Sequence, residues 1–290
     1  MVQSAPTVRR RRLGAKLREL RGDMTLEEVV EASGGAVTVS QLSRWETAKN
    51  VAQPKNVTAV LDVYVKLGRE VDDDLRKALL TLTREGARRG WWQSYRSILT
   101  PAYQDLITME ADASSVRTWQ SSVVPGLLQT GEYARELITS VGMTEAVKAR
   151  VDALAEVRLA RQAVLVNEDP LRLWAIIGEA ALHADCAEGV MREQLGRLLS
   201  LGRRPTITIQ VLPTNVAPHV GLMGAFSILG MESDHPDLDV CLTESLTSML
   251  YHEARDEVGV YQDAFERLRA VALSPEQSAQ KIAKIRDQHS

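Results

Sequence analysis

The chain has 290 residues, of which 44% are hydrophobic and 25% are charged, a composition typical of a folded globular protein. No apolar run reaches the roughly 20 residues that a bilayer-spanning helix needs. The basic N-terminus leads into no apolar stretch of a secretory signal, so we expect a cytoplasmic protein that does not contact membranes. Two cysteines, Cys186 and Cys241, are too few for a disulfide framework, and we expect both to be reduced.

Charge is distributed unevenly along the chain. Residues 1–68 contain 11 Lys and Arg against 7 Asp and Glu, whereas the remaining residues contain 24 against 31. A basic N-terminal module joined to an acidic body indicates that a polyanion would bind at the N-terminus. A disordered solubilising tail is the alternative for residues 1–22, and charge alone does not decide between the two.

Four short helices are predicted within residues 1–68. The first has apolar residues at helical spacing in the segment 13–21. Thr25 caps the second, and Glu28, three residues further on, completes a capping box. Thr38 is the expected N-cap of the third, and Pro54 opens the fourth.

The rest of the chain is predicted to form one connecting helix and one larger domain. Residues 69–90 begin acidic and end basic, which suits a helix dipole. Within residues 91–290, helical patterns alternate with strand signals, the clearest being the alternating β-branched run 206–213. We expect an α+β domain with a small antiparallel sheet packed by helices.

Residues 25–50 have the parts of a helix-turn-helix, in which a short helix and a Gly-containing turn precede a second helix that enters the DNA major groove. On that second helix, Leu42 and Trp45 are three residues apart and are expected to face the core. Thr38 and Ser40 lie at its N-terminus and suit a phosphate contact. The polar residues expected to reach bases or phosphates are Ser40, Gln41, Ser43 and Arg44. Val39 either touches a thymine methyl or packs inward.

Basic residues flank this helix on both sides. Lys49 and Lys55 flank the predicted recognition helix and are candidates to clamp DNA phosphates. Four consecutive arginines near the N-terminus favour a phosphate-binding or minor-groove arm: Arg9, Arg10, Arg11 and Arg12. A solvated helix face is the alternative for the arginines, and an amphipathic helix in an all-α domain without DNA is the alternative for the motif as a whole.

The segment 38–54 resembles the repressor-type helix-turn-helix family related to phage repressors, also called the XRE family. The resemblance is carried by the run Leu42-Ser43-Arg44-Trp45-Glu46. It implies sequence-specific binding to double-stranded DNA by a mainly α N-terminal domain. It also implies that Glu46 pairs with an arginine of the first helix, Arg18 or Arg21, in a structural role. The turn before the third helix is about two residues longer than the family pattern.

Five further motifs resemble the C-terminal domain of actinobacterial regulators typified by the WhiJ-like group, which is linked to development and antibiotic production. They are Arg89–Trp92, Val124–Thr130, Arg158–Gln162, Gln210–Pro213 and Phe265–Leu268. The resemblance implies an antitoxin-like transcription regulator whose partner is a small protein encoded by a neighbouring gene. Taken by themselves, Arg158 and Arg161 are expected to be salt-bridged surface residues, with an anion site as the alternative.

Two other functional classes compete with this interpretation. A hydrolase-like enzyme would need a catalytic pair, for which Glu179 and Glu244 are the weak candidates. His183 and Cys186 have metal-ligand chemistry but no second ligand pair, so we predict no metal, no cofactor and no catalytic residue. The larger domain is alternatively a sensor that binds a ligand or partner. We expect a homodimer, because one helix-turn-helix reads few bases.

Overall fold

The computed structural model describes residues 6–83, 91–142, 144–231, 238–246 and 248–289. The chain divides into two compact units, of which the N-terminal unit is Met1–Gln93 with Met231–Leu238. The C-terminal unit is Ser94–Gly230 with Asp239–Ser290. No helix in the described ranges has both the length and the apolar character needed to cross a membrane.

The described residues of the N-terminal unit form five α-helices that pack on an apolar core. They are α1 (Val8–Arg21), α2 (Leu26–Ala32), α3 (Val39–Glu46), α4 (Pro54–Lys66) and α5 (Asp73–Leu82). Helix α1 packs on α3 and α5, while α2 packs on α3 and α4. The buried core includes Leu17, Leu42, Leu61, Tyr64 and Leu79. Helix α5 falls in the predicted connecting segment but packs on α1 and α4; residues 84–90 of that segment lie outside the described residues.

The helix ends in this unit follow local sequence signals. The Thr25 side chain accepts a hydrogen bond from the Glu28 amide, and the Glu28 side chain accepts one from the Thr25 amide, which confirms the predicted capping box. Pro54 occupies the first turn of α4, as predicted. The turn between α2 and α3 contains Gly34 and Gly35, with φ of 61° and 86°, a conformation that glycine adopts without steric cost.

The C-terminal unit contains a six-stranded mixed sheet, so the prediction of a small antiparallel sheet is wrong. Its strands are β1 (Ser115–Gln120), β2 (Arg172–Gly178), β3 (Ile207–Leu212), β4 (Phe226–Gly230), β5 (Val240–Glu244) and β6 (Met249–His252). Their order across the sheet is β3-β2-β1-β4-β5-β6. The β1–β2 and β2–β3 pairs are parallel, whereas the three remaining pairs are antiparallel.

Helical crossovers explain the parallel half of the sheet. Three helices connect β1 to β2, namely α7 (Gly131–Val141), α8 (Glu145–Lys148) and α9 (Val151–Arg161), and α10 (Val190–Leu201) connects β2 to β3. Strands joined through a helix return in the same direction, whereas tight hairpins join antiparallel strands. Strand β1 follows α6 (Pro101–Asp112) after a short loop. It lies in a stretch whose amphipathic sequence pattern does not predict a strand.

The two faces of the sheet are covered differently. One face packs on α11 (Arg255–Val271) through a core that includes Trp119, Ile176, Phe226, Ile228, Phe265 and Leu268. The last helix, α12 (Pro275–Arg286), packs on α10 and β3. The opposite face, towards α6 and α9, encloses a cavity.

Candidate nucleic-acid interface

Helix α3 presents one buried face and one exposed polar face. Leu42 is fully buried and Trp45 is 5% exposed, so both anchor the helix to the core as predicted. Ser40, Gln41 and Arg44 are exposed on the other side. Val39 and Ser43 are half-buried, which places them at the boundary between the exposed face and the core.

The start of α3 is fixed by a second capping box. The Thr38 hydroxyl accepts a hydrogen bond from the Gln41 amide at 3.3 Å, which confirms Thr38 as the N-cap. In return, Gln41 Oε1 accepts a hydrogen bond from the Thr38 amide at 2.9 Å. The sequence pattern predicts a base-reading role for Gln41 and does not predict this second bond. Its amide Nε2 is the group that remains to donate outward.

Arg44 is the most available cation of the exposed face. Its side chain makes no hydrogen bond or ion pair with any residue that the structure describes. The guanidinium therefore keeps all its N–H donors, which can bind guanine O6 and N7 in a bidentate manner. Lys49 and Lys55 are also exposed, and their ammonium groups likewise have no partner in the described ranges.

An ion pair ties the end of α3 to the end of α1. Arg21 Nε donates to Glu46 Oε1 at 2.8 Å, and Arg21 Nη2 donates to Glu46 Oε2 at 2.9 Å. The resemblance offered two arginines, Arg18 and Arg21, as the partner of Glu46, and the structure shows that the partner is Arg21. The Glu46 and Arg21 side chains are only 5% and 16% exposed, and the hydrogen bonds to Glu46 raise the pKa of Arg21. The pair fixes the orientation of α3 and takes no part in its exposed face.

Gly14 allows α1 and α3 to approach each other closely. A Cβ at this position would lie 2.4 Å from the Trp45 carbonyl oxygen and 2.8 Å from that of Glu46. Such distances leave no room for a methyl group. Sequence reasoning missed Gly14, because a single glycine within a helical pattern carries no signal for its tertiary neighbour.

The four N-terminal arginines lie on a helix and do not form an extended arm. Helix α1 begins at Val8 with Thr7 as its N-cap. Arg9 and Arg12 are buried, with 7% and 6% of their surface exposed, because they lie on the packed side of the helix. Arg10 and Arg11 are half-buried, and Arg11 Nη1 donates to the Pro6 carbonyl at 2.6 Å.

The carboxylates considered for catalysis do not form a pair. Glu179 accepts a hydrogen bond from the Thr214 amide at 3.1 Å and forms a 2.6 Å ion pair with Lys281, which together lower its pKa against the opposing effect of burial. Glu244 ends β5, and two strands separate β5 from β2, which precedes Glu179. At about 4.8 Å per strand spacing, β2 and β5 are about 14 Å apart across the sheet.

The possible metal ligands and the two cysteine thiols are the other reactive groups of the C-terminal unit. Among the described residues, no group of three His, Cys, Asp or Glu side chains could hold a metal ion. Burial, aided by the nearby Glu136, raises the pKa of the Cys186 thiol to about 11. Burial also raises the pKa of the Cys241 thiol to about 12. Raised thiol pKa values lower the thiolate fraction of both cysteines at neutral pH.

Two of the five C-terminal motifs meet in one buried polar cluster. Arg158 Nη1 donates to Gln129 Oε1 at 2.9 Å, and Gln162 Nε2 donates to the Gln129 carbonyl at 2.8 Å. Arg161 pairs with Glu110 through bonds of 2.8 and 2.6 Å. Because Arg161 is buried at 8% exposure, its prediction as a surface residue is wrong. Arg89 and Gly90 of the first motif lie outside the described residues.

These observations define a protein with a small helical unit that exposes a capped polar helix, joined to a C-terminal unit built on a mixed six-stranded sheet. Residues 103–284 match the family described as a domain of unknown function, DUF5753. That match covers more than half of the chain, which therefore belongs to this family. No curated protein and no solved structure matches the chain.

Proposed function

We propose that this chain is a cytoplasmic, sequence-specific DNA-binding transcription regulator in which α3 is the recognition helix. The observation that carries the proposal is the exposed polar face of α3, held outward by the buried Leu42 and Trp45. The succession of α2, a glycine-containing turn and α3 supports a helix-turn-helix of the repressor type. The resemblance of residues 38–54 to that family supports it independently of the structure.

The exposed groups divide by chemistry into base-reading and phosphate-binding sets. Arg44 is the principal base-reading residue, with Ser40 and the Gln41 Nε2 beside it. The N-terminus of α3 at Thr38 suits a phosphate, because unpaired amides and the helix dipole both favour an anion. The cations proposed to bind further phosphates are Lys49, Lys55, Arg10 and Arg11.

The C-terminal unit is proposed to supply regulation and assembly. A homodimer would place two copies of α3 on successive turns of the duplex. The WhiJ-like resemblance supports an antitoxin-like regulator of development or secondary metabolism, with a small protein from a neighbouring gene as partner. The separation of Glu179 from Glu244 gives no support to a hydrolase carried by this unit.

The test is selection of binding sites by the full-length protein from a pool of random DNA duplexes. We expect one sequence to be enriched and bound at least about 10³-fold more tightly than its scrambled version at the same salt concentration. The affinity should also fall steeply with salt, since each neutralised phosphate contributes about −0.9 to the slope of log affinity against log salt. Equal affinity for selected and scrambled duplexes would contradict the proposal.

A further inference from the structure

A cavity of about 150 Å³ lies within the C-terminal unit, between the sheet and its covering helices. Its floor consists of side chains from β1, β4 and β5, with Leu173 from β2. Its walls come from α6, α7, α9 and the segment 123–129. A cavity of this volume is large enough to hold a molecule about the size of benzene.

Strand register arranges the floor from an apolar end to a polar end. Leu173, Val116 and Leu229 are paired in register across three strands and form the apolar row. In the next row on the same face, the Thr118 and Ser227 hydroxyls are hydrogen-bonded at 2.8 Å.

The third row forms the polar end. It begins at Gln120, one residue beyond the Trp119–Phe226 pair, and ends at Glu244, one residue beyond Thr243. These two side chains therefore lie two strand spacings apart, about 10 Å. A ligand resting on this floor would place an apolar group at one end and a polar group at the other.

Two of the four charged residues described in the cavity lining have no ion-pair partner in the described part of the chain. Glu110 and Arg161 neutralise each other through their buried ion pair. Arg158 donates to the neutral Gln129 amide and has no carboxylate partner among the described residues. Glu244 is exposed at the polar end, and its carboxylate likewise has no partner in the described part of the chain. The cavity thus offers one cation and one anion.

We propose that this cavity binds a small zwitterionic amphiphile, of which a branched-chain α-amino acid is the simplest example. Arg158 would bind its carboxylate, for which a guanidinium is well suited. Glu244 would bind its ammonium group, and the apolar row would receive its side chain. The proposal deepens the sensing part of the proposed function, but the binding itself needs no DNA.

Titration calorimetry of the full-length protein with three matched probes tests the proposal. L-leucine carries both charges, 4-methylpentanoate lacks the ammonium group, and 3-methylbutylamine lacks the carboxylate. Since a hydrogen bond to a charged group contributes about 1.5–3 kcal/mol, we expect leucine to bind roughly 10- to 100-fold more tightly than either analogue. Leucine binding no more tightly than 4-methylpentanoate, or no binding of any probe, would overturn the proposal.

Two variants test whether Glu244 binds the ammonium group of leucine and whether Arg158 binds its carboxylate. Glu244→Gln should abolish the preference for leucine over 4-methylpentanoate, and Arg158→Gln should abolish the preference over 3-methylbutylamine. The matched controls, Glu168→Gln and Arg203→Gln, change exposed residues outside the cavity and should leave both preferences intact. Glu244 is exposed, so its variant remains informative even if Arg158→Gln fails to fold.

An unchanged preference in Glu244→Gln would contradict the assigned site. Because these titrations contain no DNA, their failure would leave the DNA-binding proposal standing. Conversely, leucine binding by a protein that selects no duplex would refute only the DNA-binding proposal.

Discussion

Arg44 and Gln41 are neighbours on α3 but have different roles in the structure. Gln41 already uses its Oε1 to cap the helix, whereas the Arg44 side chain is exposed and unpaired among the described residues. A bidentate contact to adenine needs both Oε1 and Nε2 of a glutamine. Gln41 could make this contact only by sharing or leaving its cap, so Arg44 is the better placed of the two to read a base.

Replacing Arg44 tests whether its side chain reads a base. Arg44→Ala should weaken binding to the selected duplex by roughly 1–3 kcal/mol and relax the base preference at one position. Fluorescence anisotropy with the selected duplex and its single-base variants measures both effects. The control Arg203→Ala removes an exposed arginine from the C-terminal unit and should bind like the wild type. Wild-type affinity in Arg44→Ala would refute its role.

The Arg21–Glu46 pair should stabilise the N-terminal unit much more than an exposed pair. Glu46→Gln leaves the Arg21 charge without its carboxylate, and removing one partner of a buried pair costs about 3–5 kcal/mol. Glu19→Gln breaks the Lys16–Glu19 pair, in which the Glu19 side chain is 62% exposed, and should cost at most about 1 kcal/mol. Urea unfolding followed by circular dichroism compares them, and equal losses would contradict the structural role of Glu46.

At the scale of whole elements, the contact between α1 and α3 is the feature most sensitive to added volume. Gly14→Ala should force these helices apart, because its methyl group would overlap the Trp45 carbonyl, and overpacking typically costs about 1–3 kcal/mol or more. Gly196→Ala is the matched control in α10, where nothing lies within 4 Å of the added Cβ.

The control should stabilise the protein by about 0.5–1 kcal/mol, since alanine favours a helix over glycine. Thermal unfolding followed by circular dichroism separates the two outcomes. A Gly14→Ala protein as stable as the wild type would show that α1 and α3 do not pack as described.

Helix starts were predictable from the sequence, whereas strand pairing was not. The caps at Thr25 and Thr38 depend on residues three positions apart, so a local pattern is enough to find them. The parallel β1–β2 pair joins Val116 to Leu173, and no local pattern specifies a partner at such a distance. The chain order of strand, helix and strand from β2 to β3 does favour a parallel pair.

The same limit applies to the candidate sites. The exposed and buried faces of α3 follow from the three-residue spacing of Leu42 and Trp45, so the exposed polar face was predictable. The burial of Arg161 depends on Glu110, which is 51 residues away in sequence. The cavity floor similarly depends on the register of four strands. No local sequence pattern predicts tertiary contacts of this kind.

For the whole molecule, we expect two copies of the chain to bind one operator. Half-sites should lie about 10 base pairs apart or a multiple of that spacing. Inserting about half a helical turn between the half-sites would place them on opposite faces of the duplex, and affinity should fall to that of one half-site. Light scattering of the complex should give the mass of two chains per duplex. Unchanged affinity after the insertion would contradict a dimer on DNA.

The most direct measurement is photocrosslinking from the exposed face of α3 to the selected duplex. Cys241 is buried and Cys186 is half-buried with a raised thiol pKa, so the exposed thiol of a Ser40→Cys protein is expected to react fastest with a photoactivatable reagent. We expect crosslinks from position 40 to bases within each half-site and none to a scrambled duplex, with Glu168→Cys as the negative control. Crosslinking from position 40 that is no stronger than from position 168, or equally strong on scrambled DNA, would contradict α3 as the recognition helix.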